Sequence, residues 1–272
     1  MCILFIYRNS DADANSYRLI VASNRDEMYK RPTLSAHYWD QYPDCLGGID
    51  MEPGKEGGTW LALSTKGKAA VTLNFINNRC AIDASKKGRG PLITNFITSN
   101  DSMELYLDKL HRENVNGQPY NPYCLILLNL YNANVHYLNS CIGSTGPIMC
   151  NSDIIGIGNS GLDRPYKKVE AGKEEFKRIV KNADITNQNN LIEELVNFLK
   201  SKKRYLPDPE LQERSPTRYK ELSSIFVSIG KEYGTRTHSI LLVDGMNRVI
   251  FVEETLMPDF TWKRQQFKTN LM

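Results

Sequence analysis

Met1-Cys2-Ile3-Leu4-Phe5-Ile6-Tyr7 opens the chain, with a cysteine at position two running straight into apolar residues. Methionine aminopeptidases remove Met1 when the second residue is small. Cleavage here would leave one residue carrying both a thiol and a free α-amine. The amine titrates near ~7.7–8.0 and the thiol near ~8.5, so at neutral pH part of the amine is neutral and can take the thiol proton. That arrangement is a nucleophile with its base on the same residue. The same cysteine also reads as a small buried residue starting an edge strand, and the stretch alone leaves both readings open.

Working outward, residues 2–7 and 17–22 read as strands joined by a polar loop. Residues 60–65 and 69–75 form a predicted hairpin around Lys66-Gly67-Lys68. A further pair, 123–130 with 135–138, turns at Asn132-Ala133-Asn134, and 238–243 with 248–253 flank Asp244-Gly245, a strong hairpin signal. Residues 262–267 add a last strand. Helices are predicted over 91–99, over 102–112 with Asp101 as the N-cap, and over 169–181 and 190–200, where apolar residues recur at helical spacing. Residues 205–218, rich in proline and charge, read as a loop. Strands come in consecutive antiparallel pairs and helices in a block, which argues for α+β or a layered sandwich rather than a doubly wound βαβ fold. We read one domain over residues 1–272.

Composition narrows the function. The 272 residues carry a net charge of +3, too small to argue for nucleic acid, and no Lys/Arg block is interleaved with aromatics. The densest basic stretch, Lys200-Ser201-Lys202-Lys203-Arg204, reads as a helix end meeting water. No apolar run approaches the ~18 residues of a membrane span, and no signal-type or amphipathic leader is read at the start. The six cysteines, Cys2, Cys45, Cys80, Cys124, Cys141 and Cys150, show no CxxC, so reduced thiols in the cytosol are expected rather than a zinc site or disulfide framework. His37, His111, His136 and His238 have no metal-ligand spacing. No P-loop occurs.

Polar residues in unusual places mark candidate chemistry. Ser23-Asn24-Arg25-Asp26-Glu27 comes where the second strand's pattern stops. It reads either as a surface turn with local ion pairs or as a site in which Asp26 or Arg25 faces the start of the first strand. A carboxylate there would hold an N-terminal ammonium. Asn74 interrupts an apolar strand, where an amide is costly unless hydrogen-bonded and is also what an oxyanion hole needs. Asn159, in Gly156-Ile157-Gly158-Asn159-Ser160-Gly161, reads first as a helix N-cap. Arg236 in Tyr233-Gly234-Thr235-Arg236-Thr237 precedes an apolar strand and reads as a structural ion pair. Trp60, after Glu56-Gly57-Gly58-Thr59, begins a strand and reads as core.

Together these stretches resemble the NRDE family, the group of transport and Golgi organization protein 2. The residues that carry the likeness are Met1-Cys2-Ile3, Ala22-Ser23-Asn24-Arg25-Asp26-Glu27, Arg31-Pro32, Gly57-Gly58-Thr59-Trp60-Leu61, Gly88-Arg89-Gly90, Asn159-Ser160 and Tyr233-Gly234-Thr235-Arg236-Thr237. That family is in turn similar to N-terminal-nucleophile hydrolases of the choloylglycine hydrolase and penicillin acylase type. The resemblance implies a four-layer αββα sandwich and a catalytic set of Cys2, Asp26, Asn74, Asn159 and Arg236. Arg25 departs from the hydrolase pattern, in which the first arginine stands a few residues earlier, where this chain has Ser23. The family's association with haem mobilisation, secretion, Golgi organisation, and lipid and mitochondrial metabolism implies a cytoplasmic carrier of haem or an acyl lipid. Such a carrier would touch membranes only transiently and would need no resident cofactor or metal. Arg25, Arg236 and Trp60 would be its cargo contacts. An N-terminal cysteine amidase acting on a small acyl amide, and an interaction protein of the secretory pathway, are the other readings.

Overall fold

A computed structural model describes residues 1–76, 82–141 and 143–272. In chain order its strands are β1 (Ile3–Arg8), β2 (Tyr17–Met28), β3 (Thr33–Trp39), β4 (Tyr42–Asp50), β5 (Leu61–Ser64), β6 (Lys68–Asn74), β7 (Tyr123–Asn129), β8 (Val135–Asn139), β9 (Ile148–Met149), β10 (Ile154–Ile157), β11 (Ser228–Ile229), β12 (Tyr233–Asp244), β13 (Arg248–Leu256) and β14 (Trp262–Asn270). The helices are α1 (Pro91–Thr98), α2 (Met103–Gly117), α3 (Lys167–Lys181), α4 (Gln188–Leu199), α5 (Pro209–Arg214) and α6 (Tyr219–Leu222). The chain divides into two compact units, one of Met1–Lys30 with Ser152–Leu271, the other of Arg31–Asn151 with Met272.

In the first unit the sheet runs β10-β1-β2-β12-β13-β14, with β11 on β12. Its spine is the antiparallel pair β2 and β12, which runs from Tyr17↔Asp244 to Met28↔Tyr233 with a register shift near each end. A bulge between Thr235 and Thr237 leaves Arg236 as the extra residue. Helices α3 and α4 cover one face, α3 over β1 and β10, α4 over β2 and β12. Phe5 anchors that contact, its ring 5.7 Å from Phe176 and 5.0 Å from Phe198. Gly172 lets α3 come close, since a Cβ there would sit 2.5 Å from the Phe5 ring.

The second unit is a sheet in sequence order from β3 to β9, as expected of successive hairpins. Helix α1 packs on β4, β5 and β6, and α2 packs on β8. Leu92, Ile93, Phe96, Leu107, Leu125 and Leu127 form the centre of its core. The glycine motifs meet here: a Cβ on Gly90 would lie 2.6 Å from the Gly58 Cα, so the two backbones cross at a spacing that excludes side chains.

The structure corrects several expectations. β2 continues through Met28 instead of ending near residue 22, and β12 begins at Tyr233 instead of 238. Each extension supplies the other's ladder partners, and ladder hydrogen bonds outweigh the weak strand preference of Asn, Asp and Gly. β3 and β4 were not anticipated; Pro43 and Gly47-Gly48 mask β4. Gly47 is needed there because a Cβ would lie 2.7 Å from the Leu61 carbonyl oxygen. The N-cap of α2 is Ser102 rather than Asp101, its Oγ accepting from Leu105 N. The loop expected over 205–218 contains α5.

Candidate functional site around Cys2

β1 and β2 pair with Ile3 opposite Asn24. One further step of that register sets Cys2 opposite Arg25, and two set Met1 opposite Asp26. The contacts agree with it. Asp26 N donates to Cys2 Sγ at 3.5 Å, and the Asp26 Oδ2 lies 3.0 Å from the Met1 ammonium. The same ammonium donates to the Tyr233 hydroxyl. Thr235 Oγ1 donates to Asp26 Oδ1 at 2.7 Å and accepts from Val227 N at 2.9 Å. The Asp26 carboxylate thus has a partner on each oxygen, which is what a buried charge requires. The surface-turn reading of Ser23–Glu27 is therefore set aside: Ser23, Asn24, Arg25 and Asp26 are all buried in a central strand.

Burial pushes the Cys2 thiol above its ordinary range; the N-terminal charge opposes the rise and the Asp26 charge adds to it. Tyr233 is also pushed well up, by burial first and then by Asp26, so its phenol keeps its proton.

Asn159 reaches the same neighbourhood through β10. Leu4 pairs with Ile157, and two further steps of that register set Asn159 opposite Cys2. Asn159 and Ser160 are buried. Asn159 caps no helix, since α3 starts only at Lys167 with Tyr166 as its N-cap residue. Arg236 is the bulge residue of β12, a position that re-aims a side chain, and its Nη1 donates to Met28 O at 3.0 Å. It lies within β12 rather than ahead of the strand. Arg25 is buried, with Nη2 4.0 Å from Glu27 Oε2.

The first unit thus contains Cys2, Arg25, Asp26, Asn159 and Arg236. Asn74 and Trp60 belong to the second unit. Asn74 is the last residue of β6 and exposed, so its amide is not a buried interruption of that strand. Trp60 lies against Gly48, where a Cβ would come 2.5 Å from the indole. Three participants escaped the sequence reading. Tyr233 and Thr235 stood in a motif noticed only for its arginine. Lys168 sits in Lys167-Lys168, a pair that reads as solvated, yet it is 0% exposed. Among the described residues no cluster of His, Cys, Asp or Glu is arranged to hold a metal ion, and the described cysteines are free thiols. Cys80 lies outside the described residues.

The match to known proteins decides the relationship. The model of the family Transport and Golgi organisation 2 matches residues 1–258. The chain belongs to this family. It is 35% identical over 265 residues to the human Transport and Golgi organization protein 2 homolog, covering 94% of each chain. It is 35% identical over 263 residues to the Drosophila melanogaster Transport and Golgi organization protein 2, covering 94% of this chain and 92% of that one. Among solved structures, it is similar to a Caenorhabditis elegans ortholog of N-acylethanolamine-hydrolyzing acid amidase, with TM-score 0.53, 10% identity and coverage of 89% of this chain and 92% of that chain. It is also similar to a mutant conjugated bile acid hydrolase from Clostridium perfringens, with TM-score 0.51, 9% identity and coverage of 100% and 92%. At such identities the likeness shows the fold alone. This Transport and Golgi organisation 2 family member has the α+β fold of N-terminal-nucleophile hydrolases, as expected, with an antiparallel sheet and its helices in each unit. No described helix is long and apolar enough to cross a membrane.

Proposed function

We propose that this chain is an intracellular carrier of haem, or of a similar amphipathic carboxylate such as an acyl lipid, built on an N-terminal-nucleophile hydrolase fold. The observation that carries the reading is the setting of Cys2. Its sulfur accepts a hydrogen bond from Asp26 N at 3.5 Å, and burial pushes the thiol above its ordinary range, away from the thiolate that attack on an amide needs. Buried guanidinium groups at Arg25 and Arg236 suit a carboxylate that is held rather than cleaved, because a planar guanidinium binds carboxylate oxygens in pairs. Haem carries two such groups in its propionates. A cytoplasmic working place with passing contact to mitochondria or Golgi, and a part in lipid and mitochondrial homeostasis, belong to this proposal.

Haemin titration followed by the Soret band tests it, together with transfer of bound haemin to an apo-globin. Saturable binding is expected, weakened about tenfold by Arg25→Ala or Arg236→Ala, the scale of one charge-assisted hydrogen bond. Cys2→Ala should leave transfer intact. Absence of saturable binding at micromolar haemin would sink the carrier.

One observation favours a second reading, an N-terminal cysteine amidase. The Asp26 carboxylate lies 3.0 Å from the N-terminal ammonium. With Met1 removed, the amine would belong to Cys2, Asp26 would orient it, and Asn159 would serve as an oxyanion donor. Release of acid from an acyl-amide panel, lost in Cys2→Ala and reduced in Cys2→Ser, would establish it; turnover that persists in Cys2→Ala would dismiss it.

A further inference from the structure

Helix α4 ends before the strands it covers do. Asn24 Nδ2 of β2 donates to the carbonyl of Leu199, the last residue of α4, at 2.8 Å. From that point the helix runs back to Gln188, roughly 17 Å at its rise per residue. β2 runs back to Tyr17, roughly 23 Å. The sheet is left uncovered at that end, and the shortfall is a cavity of about 380 Å³ lined by Tyr17, Ile185, Gln188, Leu242, Arg248 and Lys268 with their neighbours. Every lining residue belongs to the first unit, and the cavity sits at the end of β2 opposite to Asp26.

The strand register builds its floor. Leu242 pairs with Ile250, and Ile250 with Lys268, so the three form one cross-strand row. Arg248 and Asn270 pair in the next row on the same face, two residues further along each strand. Leu242 and Ile250 are buried and apolar, while Arg248 and Lys268 are exposed cations at the rim. The start of α4 adds the positive end of a helix dipole, and no side chain caps it.

The polar groups of the lining are unevenly used. Asp244 is its one carboxylate, and both oxygens are occupied. Oδ1 accepts from Met246 N and Arg248 N, each at 2.9 Å, and Oδ2 accepts from Arg248 Nε at 2.5 Å. Outside the lining, Asp184 is exposed, and its Oδ1 accepts from Thr186 N at 2.8 Å. The donors are not used up. Tyr17 is 5% exposed, yet its hydroxyl is buried with no hydrogen-bond partner among the described residues. Burial, then the Asp244 and Asp184 charges, push it up to about 12, so it keeps its proton and lacks an acceptor. Arg248 spends only Nε on Asp244, and Lys268 has no ion-pair partner among the described residues.

We propose that this cavity is a second binding site, which takes a small organic phosphate monoester. The phosphate lies among Tyr17, Arg248 and Lys268, and the organic part rests on Leu242 and Ile250. Donors reach the cavity from β2, β13 and β14, which suits the three terminal oxygens of a phosphate better than the two of a carboxylate. Two cations suit its charge of about −1.5 to −2 at pH 7. The site is independent of what the Cys2 site carries or cleaves.

Calorimetric titration of phenyl phosphate into the full chain tests it. Saturable binding with Kd below about 1 mM is expected. Tyr17→Phe removes the hydroxyl alone and should weaken binding about tenfold, the scale of a hydrogen bond to a charged group. Lys268→Met should weaken it by a similar factor, and because Lys268 is exposed this variant keeps the test open should Tyr17→Phe fail to fold. Lys263→Met, on the opposite face of β14, should leave the affinity unchanged. No saturation by about 10 mM, equal affinity for benzoate, or binding that neither Tyr17→Phe nor Lys268→Met weakens would overturn the proposal. Phosphatidic acid carries the same monoester on a membrane. Co-sedimentation with vesicles of phosphatidylcholine and phosphatidic acid, lost in Lys268→Met, would assign the site to a lipid headgroup and dismiss the small ligand.

Discussion

His238 Nδ1 lies 2.6 Å from Asn24 Oδ1, and this one contact fixes the tautomer of a buried imidazole. Both Asn24 Nδ2 bonds are donated, to Leu199 O and Ile225 O, so Oδ1 is the acceptor and His238 Nδ1 carries the proton. The ring stacks on Trp262 with centroids 4.6 Å apart. The pair therefore ties β2, β12, α4 and the Ser224–Val227 segment together two residues along β2 from Asp26.

Acid should loosen this tie. Burial, and then the Lys200 charge, lower His238 from 6.5 to about 3. The unfolded chain therefore takes up the proton first as pH falls. The stabilisation is full above about pH 6.5 and is lost progressively towards pH 3. From pH 6.5 to pH 4 the loss amounts to about 3 kcal/mol. Urea unfolding at pH 7, 5.5 and 4 should show a shallower decline in His238→Gln than in the parent.

Lys168 should give the opposite end of the profile. Burial lowers it from 10.5 to about 8, with Asp26 the strongest opposing influence. Between those values the unfolded chain still holds a proton that the folded chain has released, so stability rises with pH. From pH 8 to 9.5 the gain is about 2 kcal/mol. Lys168→Met should lack the rise, and its urea midpoint should exceed the parent's at pH 7.

Asp26→Asn tests the ion pair itself. It leaves the Met1 ammonium, whose side chain is 1% exposed, without its carboxylate. Breaking one side of a buried pair costs about 3–5 kcal/mol. Thermal unfolding should show the loss in protein that retains Met1, and a change below about 1 kcal/mol would mean the pair is not formed in solution.

The glycine pair separates two roles within Gly88-Arg89-Gly90. A Cβ at Gly90 would meet Gly58 Cα at 2.6 Å and Thr59 N at 2.8 Å, whereas one at Gly88 meets only the Lys55 side chain at 3.7 Å. Gly90→Ala should lower stability by about 1–3 kcal/mol, and Gly88→Ala by under about 0.5 kcal/mol. Equal melting temperatures for the two variants would refute the close crossing.

The hairpins β1–β2, β5–β6, β7–β8 and β12–β13 and the four longest helices were legible because their apolar periodicity is locally complete, whereas β3–β4 was not. The inner halves of β2 and β12 were not, because Ser23–Glu27 and Tyr233–Thr237 carry charge and glycine where a strand alternates. Only their pairing with each other makes them strands, and that is a contact between residues more than two hundred apart. Cys2, Asp26 and Arg236 could be singled out as chemically unusual. Lys168 could not, since a lysine in the first turn of an amphipathic helix is ordinary until Gly172 brings that helix onto Phe5. Asn74 stood out as an amide in an apolar strand and Trp60 as the start of one, but the site roles of both came from the family resemblance.

Met1 is 3% exposed and its backbone nitrogen is bound. An affinity tag fused ahead of it would replace the ammonium by a neutral amide and crowd extra residues against Tyr233. For handling the protein, such a fusion is chemically a mutation of the site. Met272 is 69% exposed and its carbonyl oxygen, which accepts from Tyr131, survives chain extension. Purification handles belong at that end.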